Sequence, residues 1–314
     1  MTDFIIPIDD AVEAFSNHIR SNQRTVLSAK FGDGKSFFLQ KVSEDERLSA
    51  DFEFLTLYPV NYQVARNEDI FELIKRDILF QLMIHDMISD DVVIDESESF
   101  LWFLKNNGTS LFTDLLSFLA EINLESKFCA MVMTAMKVKK LFKNIKDHYT
   151  VFKEKNKDID AAVENFLEKT NDHFLYEKDL ITTIIQKSVE DFRRSNNKKV
   201  ALVVEDLDRI DPSHLFRILN VLSAHIDYKY KDAKKPDASL EGNKFGLDNI
   251  ILVVDYHNLK SIYKHFYGDR TDFNGYISKF LSSVPFSYSL ENQKYEYSVK
   301  QLSSLTTRIM LSTL

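Results

Sequence analysis

Residues Ala29 to Ser36 read A-K-F-G-D-G-K-S, and the short run Thr25-Val26-Leu27-Ser28 leads into them like a strand. The spacing is close to the phosphate-binding loop G-x-x-x-x-G-K-[ST], with alanine in place of the first glycine. Each residue type in that pattern has a chemical reason. A glycine-rich turn from a strand into a helix directs backbone N–H groups inward, where they hold phosphate oxygens. Lys35 would reach the β- and γ-phosphates, and the Ser36 hydroxyl would ligate Mg²⁺. The candidate nucleotide-binding residues are therefore Ala29, Lys30, Phe31, Gly32, Asp33, Gly34, Lys35, Ser36 and Phe37. The chain has only 7 glycines in 314 residues, roughly 2% against an average near 7%, and two of them fall in this loop. Alanine at position 29 keeps the side chain small but loses easy access to positive φ. A left-handed backbone there would strain it; a merely tight one would accept it.

A second group of chemical residues lies far along the chain. Val200-Ala201-Leu202-Val203-Val204 is a continuous apolar run, the pattern of a parallel strand covered on both faces. It ends in Glu205-Asp206-Leu207-Asp208-Arg209. Ligands of open α/β sheets bind at the carboxyl ends of strands. Were this strand the neighbour of the one that carries the loop, its acids would face the Mg²⁺ that Ser36 holds. That is the Walker B arrangement: an apolar strand, an acid near the metal, then a second acid that orients water. Ser36, Glu205 and Asp206 are the candidate metal residues. Asp206, Lys35 and Asp255 are the candidate catalytic ones, Asp255 because it ends another apolar run, Asn249 to Val254.

The elements that must position these groups follow from periodicity and capping. Asp9 or Asp10 can cap a helix over Ala11 to Ile19, with Val12, Phe15 and Ile19 on one face. Ser36 to Val42 reads as the helix after the loop, and Phe52 to Tyr58 alternates as a strand ending near Pro59. Asn67 or Asp69 starts a helix through Phe71, Ile74, Ile78 and Leu82. Asp211 caps and Pro212 opens a helix whose buried face is Leu215, Ile218, Leu219, Leu222 and Ile226. Lys229 to Gly246 is polar and turn-rich, the pattern of a mobile loop. Residues 63 to 211 contain no proline and a single glycine, so the middle of the chain is expected to be mostly helical. The expected fold is α/β: a P-loop NTPase core with a mostly parallel sheet flanked by helices, and a large all-helical insertion between the Walker motifs. The expected divisions are 1–96 and 196–314 for the two halves of the core and 97–195 for the insertion.

Composition narrows the class. A net charge of -8 and a pI of about 5.6 argue against a generally nucleic-acid-coating surface. The single cysteine, Cys129, excludes an internal disulfide and fits a reducing compartment. The residues M-T-D-F-I-I-P show no basic region and no long apolar stretch, so no signal peptide is expected, and the nearest candidate span, Leu111 to Val138, is broken by Asp114, Glu121, Glu125 and Lys127. A buried helix is expected there, no membrane partner, and the cytoplasm as location. Lys137, Lys139, Lys140, Lys143 and Lys146, continued by Lys153, Lys155 and Lys157, read as a solvated helix face, with a nucleic-acid patch as the weaker alternative. The histidines show no H-E-x-x-H and no pairing with Cys129, and no G-x-S-x-G occurs.

Together the two motifs resemble those of the KAP family of P-loop NTPases. That family carries G-x-W-G-x-G-K-[ST], with Phe31 here at the tryptophan position, and apolar-D-D-L-D-R, matched by Val203-Val204-Glu205-Asp206-Leu207-Asp208-Arg209. The resemblance extends to Val253-Val254-Asp255, to Tyr276-Ile277-Ser278-Lys279-Phe280 and to Val284-Pro285-Phe286. The departures are Ala29 for glycine and Glu205 for the aspartate at the Mg²⁺ position. The resemblance implies an ATP- and Mg²⁺-dependent NTPase with helices inserted between its motifs, related to STAND and AAA+ ATPases. It also implies a role in bacterial defence against phage. Three functions follow from the residues and the resemblance. The first is an ATPase in which Asp206 orients water, Asp255 stands near the γ-phosphate, and an arginine from a neighbouring subunit, Arg209 or Arg270, completes the site. The second is a nucleotide-gated switch or assembly module, a homo-oligomer or the holder of a protein partner, with little or no hydrolysis. The third is a nucleic-acid motor using the Lys137 to Lys157 region.

Overall fold

The structure, a computed structural model, describes residues 6–63, 65–88, 140, 143–147, 149–155, 180–223 and 243–312. The Leu111 to Val138 segment, most of the 97–195 insertion, Ile226 and most of the Lys229 to Gly246 loop lie outside the described residues. The chain divides into two units. The first gathers Met1–Asn67, Lys199–Leu219 and Asp248–Leu314, and holds both motifs. The second comprises Glu68–Lys198 and Asn220–Leu247.

The first unit is built on a five-stranded sheet of β1 (Arg24–Ser28), β2 (Phe52–Leu57), β3 (Lys199–Val204), β4 (Asn249–Val254) and β5 (Phe286–Ser287). Its order is β2-β3-β4-β1-β5, and every pairing is parallel. The mostly parallel sheet read from the sequence is thus present. The strand order decides a condition that the sequence left open. β1 and β3 are not neighbours, because β4 runs between them. The physical reason lies in β4 itself: all six of its residues are buried, and the most continuously apolar strand takes the centre of a sheet covered on both faces. The register sets Ser28 beside Val254, Val204 beside Leu252 and Leu57 beside Val204. The strands' carboxyl ends therefore line up along one edge, and Ala29, Tyr58, Glu205, Asp255 and Tyr288 each follow one of them.

Three helices, α1 (Asp9–Ser21), α2 (Lys35–Glu44) and α3 (Glu46–Asp51), share a core with one face of the sheet. Phe15, Ile19, Phe38, Val42 and Leu48 meet Leu27, Ala201, Val203, Ile251 and Val253 there. The Phe38 ring stacks on Tyr288 at 4.2 Å between centroids, which ties α2 to the chain leaving β5. The N-cap of α1 lies one or two residues before the expected one. Ile8 is the N-cap and makes no side-chain bond, while Asp9 and Asp10 occupy the first turn, where negative charge favours the helix dipole. Val26, Leu202, Val204, Leu252 and Val254 are buried on the other face of the sheet.

The second unit contains α4 (Ile70–Ile84) and α5 (Leu180–Asn196). In α4, Ile74, Ile78 and Leu82 are buried as the periodicity predicts, whereas Phe71 is only half-buried. Lys75 is fully buried, paired with Glu72 at 2.6 Å and placed over the Phe71 ring. The described turns at 143–147 and 149–155 are helical, and Lys140, Lys143, Lys146, Lys153 and Lys155 are exposed. The helix α6 (Pro212–Ser223) starts as read from Asp211-Pro212: the Asp211 carboxylate accepts from the Ser213 N–H at 2.8 Å. Three helices complete the chain: α7 (Tyr256–Tyr267), α8 (Phe273–Ile277) and α9 (Leu290–Ser312).

Candidate functional site

The loop from Ala29 to Gly34 leaves β1 and feeds α2. Gly32 and Gly34 have φ of 87° and 77°, and Gly34 is the left-handed N-cap of α2. A Cβ at either would meet no atom within 4 Å, so glycine is needed for its backbone and not for space. Ala29 stands differently. Among the described residues the non-glycine positions with positive φ are Asp86, Asn197 and Asp206, so Ala29 carries no such strain. It is buried, its N–H donates to the Val254 carbonyl at 3.1 Å, and its carbonyl accepts from Lys35 Nζ at 3.2 Å. The tight-but-relaxed alternative holds for this residue. Asp33 closes the turn, with its N–H on the Lys30 carbonyl and its carboxylate accepting from the Lys30 N–H. Phe31 and Phe37 are exposed, at 82% and 49%.

Ser36 is the residue that joins the two motifs. Its Oγ donates to Glu205 Oε2 at 3.1 Å, across 169 residues of sequence. Residues of α2, β2, β3 and β4 line one cleft, and the intervening strand does not keep the two side chains apart. Beneath α2 runs a cleft of about 280 Å³ lined by Ser36, Val42, Phe54, Tyr58, Val203 and Glu205, among others. Glu205 is half-buried. Burial raises its carboxyl above the ordinary 4.5; the bond from Ser36 opposes this, the Asp206 charge adds to it, and the Lys35 charge opposes it. Tyr58, at the end of β2, has its hydroxyl raised by burial and then by the Glu205 charge. Sequence reading treated Tyr58 only as the end of a strand; a strand-end position was its one available signal.

Asp206 is turned to a different partner. Its carboxylate accepts from Arg209 Nη1 at 2.9 Å, and its backbone is left-handed, with φ 49° and ψ 38°. The Arg209 guanidinium lies 5.5 Å from the centroid of the Phe31 ring on the loop. Gln63 Nε2 donates to the Arg209 carbonyl at 3.1 Å. An exposed ion pair and an exposed cation–π contact are each worth on the order of 0.5–1 kcal/mol. Asp208 Oδ2 accepts from Asn258 Nδ2 at 3.1 Å, a contact with no sequence signal. Asp255 caps α7: its Oδ1 accepts from the N–H groups of His257 and Asn258. Arg209 thus pairs with residues of its own chain, and Arg270 is exposed in the turn after α7. The structure pairs Lys35 with Ala29 and Ser36 with Glu205 by separate hydrogen bonds, and it sets Arg209 between the Asp206 carboxylate and the Phe31 ring.

The stretch of chain that builds this arrangement matches a family model. The model of the KAP family P-loop domain covers residues 17–233. The chain belongs to the KAP family. No curated protein matches it. The matched KAP stretch runs from the end of α1 through both motifs and α6, so it includes the inserted residues as well as the loop and Glu205. A KAP P-loop domain is a nucleotide-binding NTPase domain. Its expected ligands suit the residues present: two left-handed glycines open to space, a buried lysine at the head of α2, and hydroxyl and carboxylate oxygens of the hard type that Mg²⁺ takes. Among the described residues no helix is long and apolar enough to cross a membrane.

Proposed function

We propose that this KAP domain binds ATP with Mg²⁺ and hydrolyses it. The observation that carries the reading is the bond from Ser36 to Glu205, which unites the loop with an acid 169 residues away. In this reading the amides of the loop and the Lys35 ammonium hold the phosphates. Ser36 and Glu205, with Asp206 beside them, would hold Mg²⁺, which when bound neutralises charge on the β- and γ-phosphate oxygens. Asp206 orients a water. The water oxygen bonds to the terminal phosphorus as the bond to the bridging oxygen breaks, leaving ADP and inorganic phosphate, with the proton passing to Asp206 or to the phosphate. Asp255 reads the terminal phosphate from the end of β4.

The test is ATP turnover and ATP affinity of the full chain against Lys35→Ala. Each hydrogen bond to a charged group contributes about 1.5–3 kcal/mol. Affinity or turnover is expected to fall by at least about 10-fold in the variant. Equal turnover in the two proteins sinks the reading.

A second reading draws on the Asp206–Arg209 pair, which occupies the carboxylate that would hold the water. It is a nucleotide-gated switch or assembly module that turns over slowly, with a second copy or a protein partner as its output. Oligomer size with and without ATP separates the two. An assembly state that ignores ATP, together with sustained turnover, removes the switch. Turnover that responds to DNA or RNA would instead favour a motor, against which the net charge of -8 speaks.

A further inference from the structure

Three features meet at Arg209. Its side chain is half exposed yet engaged on two sides, by the Asp206 carboxylate at 2.9 Å and by the Phe31 ring at 5.5 Å. Its main chain is anchored, through the Gln63 bond to its carbonyl and its own N–H on the Asp206 carbonyl at 3.0 Å. Asp206 holds a left-handed backbone, a conformation that persists in a non-glycine residue only where its surroundings impose it. A guanidinium on an anchored backbone, with weak and water-exposed partners, is free to exchange them. Phe31 belongs to the loop whose amides hold phosphate in the nucleotide-binding reading, so the exchange partner nearest in chemistry is a phosphate oxygen. A phosphate offers the planar fork two oxygens and more charge than one carboxylate.

We propose that Arg209, acting within its own chain, is the residue by which the site tells a nucleoside triphosphate from a diphosphate. The terminal phosphate draws the guanidinium away from Asp206 and Phe31, and Asp206 is released to hold the attacking water. A diphosphate lacks that group and leaves the Phe31–Arg209–Asp206 clasp closed. This rests on the nucleotide-binding reading above and adds to it a named specificity residue and the order in which the site is switched on.

The experiment measures binding of ADP and of a non-hydrolysable ATP analogue, each with Mg²⁺, to the full chain by calorimetry. Arg209→Gln is expected to weaken the analogue on the order of 10- to 100-fold and to leave ADP within about 3-fold. Arg209→Lys, which keeps the charge but not the fork, falls between. A Phe31→Trp reporter in a Trp102→Phe background is expected to change its emission with the analogue and not with ADP. That difference disappears when Arg209→Gln is added. Equal losses for both nucleotides, or none for either, overturn the role of Arg209 while leaving nucleotide binding intact. If the unaltered protein binds neither nucleotide, the nucleotide-binding reading falls and this one with it.

Discussion

At Glu205 two demands act on one carboxylate. Holding a cation requires it charged; its half-burial, then the Asp206 charge, disfavour the charge and outweigh the bond from Ser36 and the Lys35 charge, which is why its carboxyl is raised. The sign of the consequence is fixed by linkage. An acid whose folded value lies above its unfolded value binds more protons in the native state, so stability falls as pH rises through that window. The window opens at the ordinary 4.5 and closes above the raised folded value. Glu205→Gln keeps an acceptor for Ser36 and removes the titration. Urea unfolding across pH is expected to show the variant more stable than the natural protein at pH 7, with the difference fading toward pH 4. A difference that is flat with pH would refute the assignment. Ala29 teaches the complementary point. Its identity as a departure was legible in the sequence, but whether it was a strained residue was not, because φ belongs to the folded loop. Its unstrained backbone leaves Glu205, not Ala29, as the departure with an electrostatic consequence.

Among the elements, α2 does the most to build the site. It starts at a left-handed Gly34, presents Lys35 and Ser36 from its first turn, and buries Phe38, Leu39 and Val42 against the sheet. Its start, within one residue, and the strand before it were legible, since turn chemistry is local. Asp255 shows a different limit. Its place at the end of an apolar strand was legible, but its bonds to the first turn of α7 were not. Gly34→Ala isolates the backbone contribution of the α2 start, because the added Cβ meets no atom within 4 Å. The expected cost is about 1–2 kcal/mol of stability, the ordinary penalty of a left-handed L-residue, read from chemical denaturation. Gly34→Asn, which tolerates that conformation better, is expected to cost less. Equal losses for the two would point to packing instead of strain.

At the scale of the molecule, the site is assembled from chain segments 169 residues apart. A ligand that grips both halves is bound by the folded state alone, and its free energy adds to that of folding. ATP with Mg²⁺ at a hundred times its dissociation constant is expected to raise the unfolding free energy by about 2.7 kcal/mol. Thermal denaturation with and without ligand measures this, and Lys35→Ala should abolish most of it. An unchanged melting temperature in the natural protein would count against a ligand that spans both motifs. The sequence by itself determined the two motifs, the apolar strands that end in them, the caps of Asp211 and Pro212, and the KAP resemblance. These are local, written in residue type and spacing. The tertiary structure alone decided that β4 separates β1 from β3, that Ser36 at the head of α2 reaches Glu205, and that Arg209 lies over the Phe31 ring. Those depend on which distant surfaces bury one another, and no window of residues around either motif contains that information.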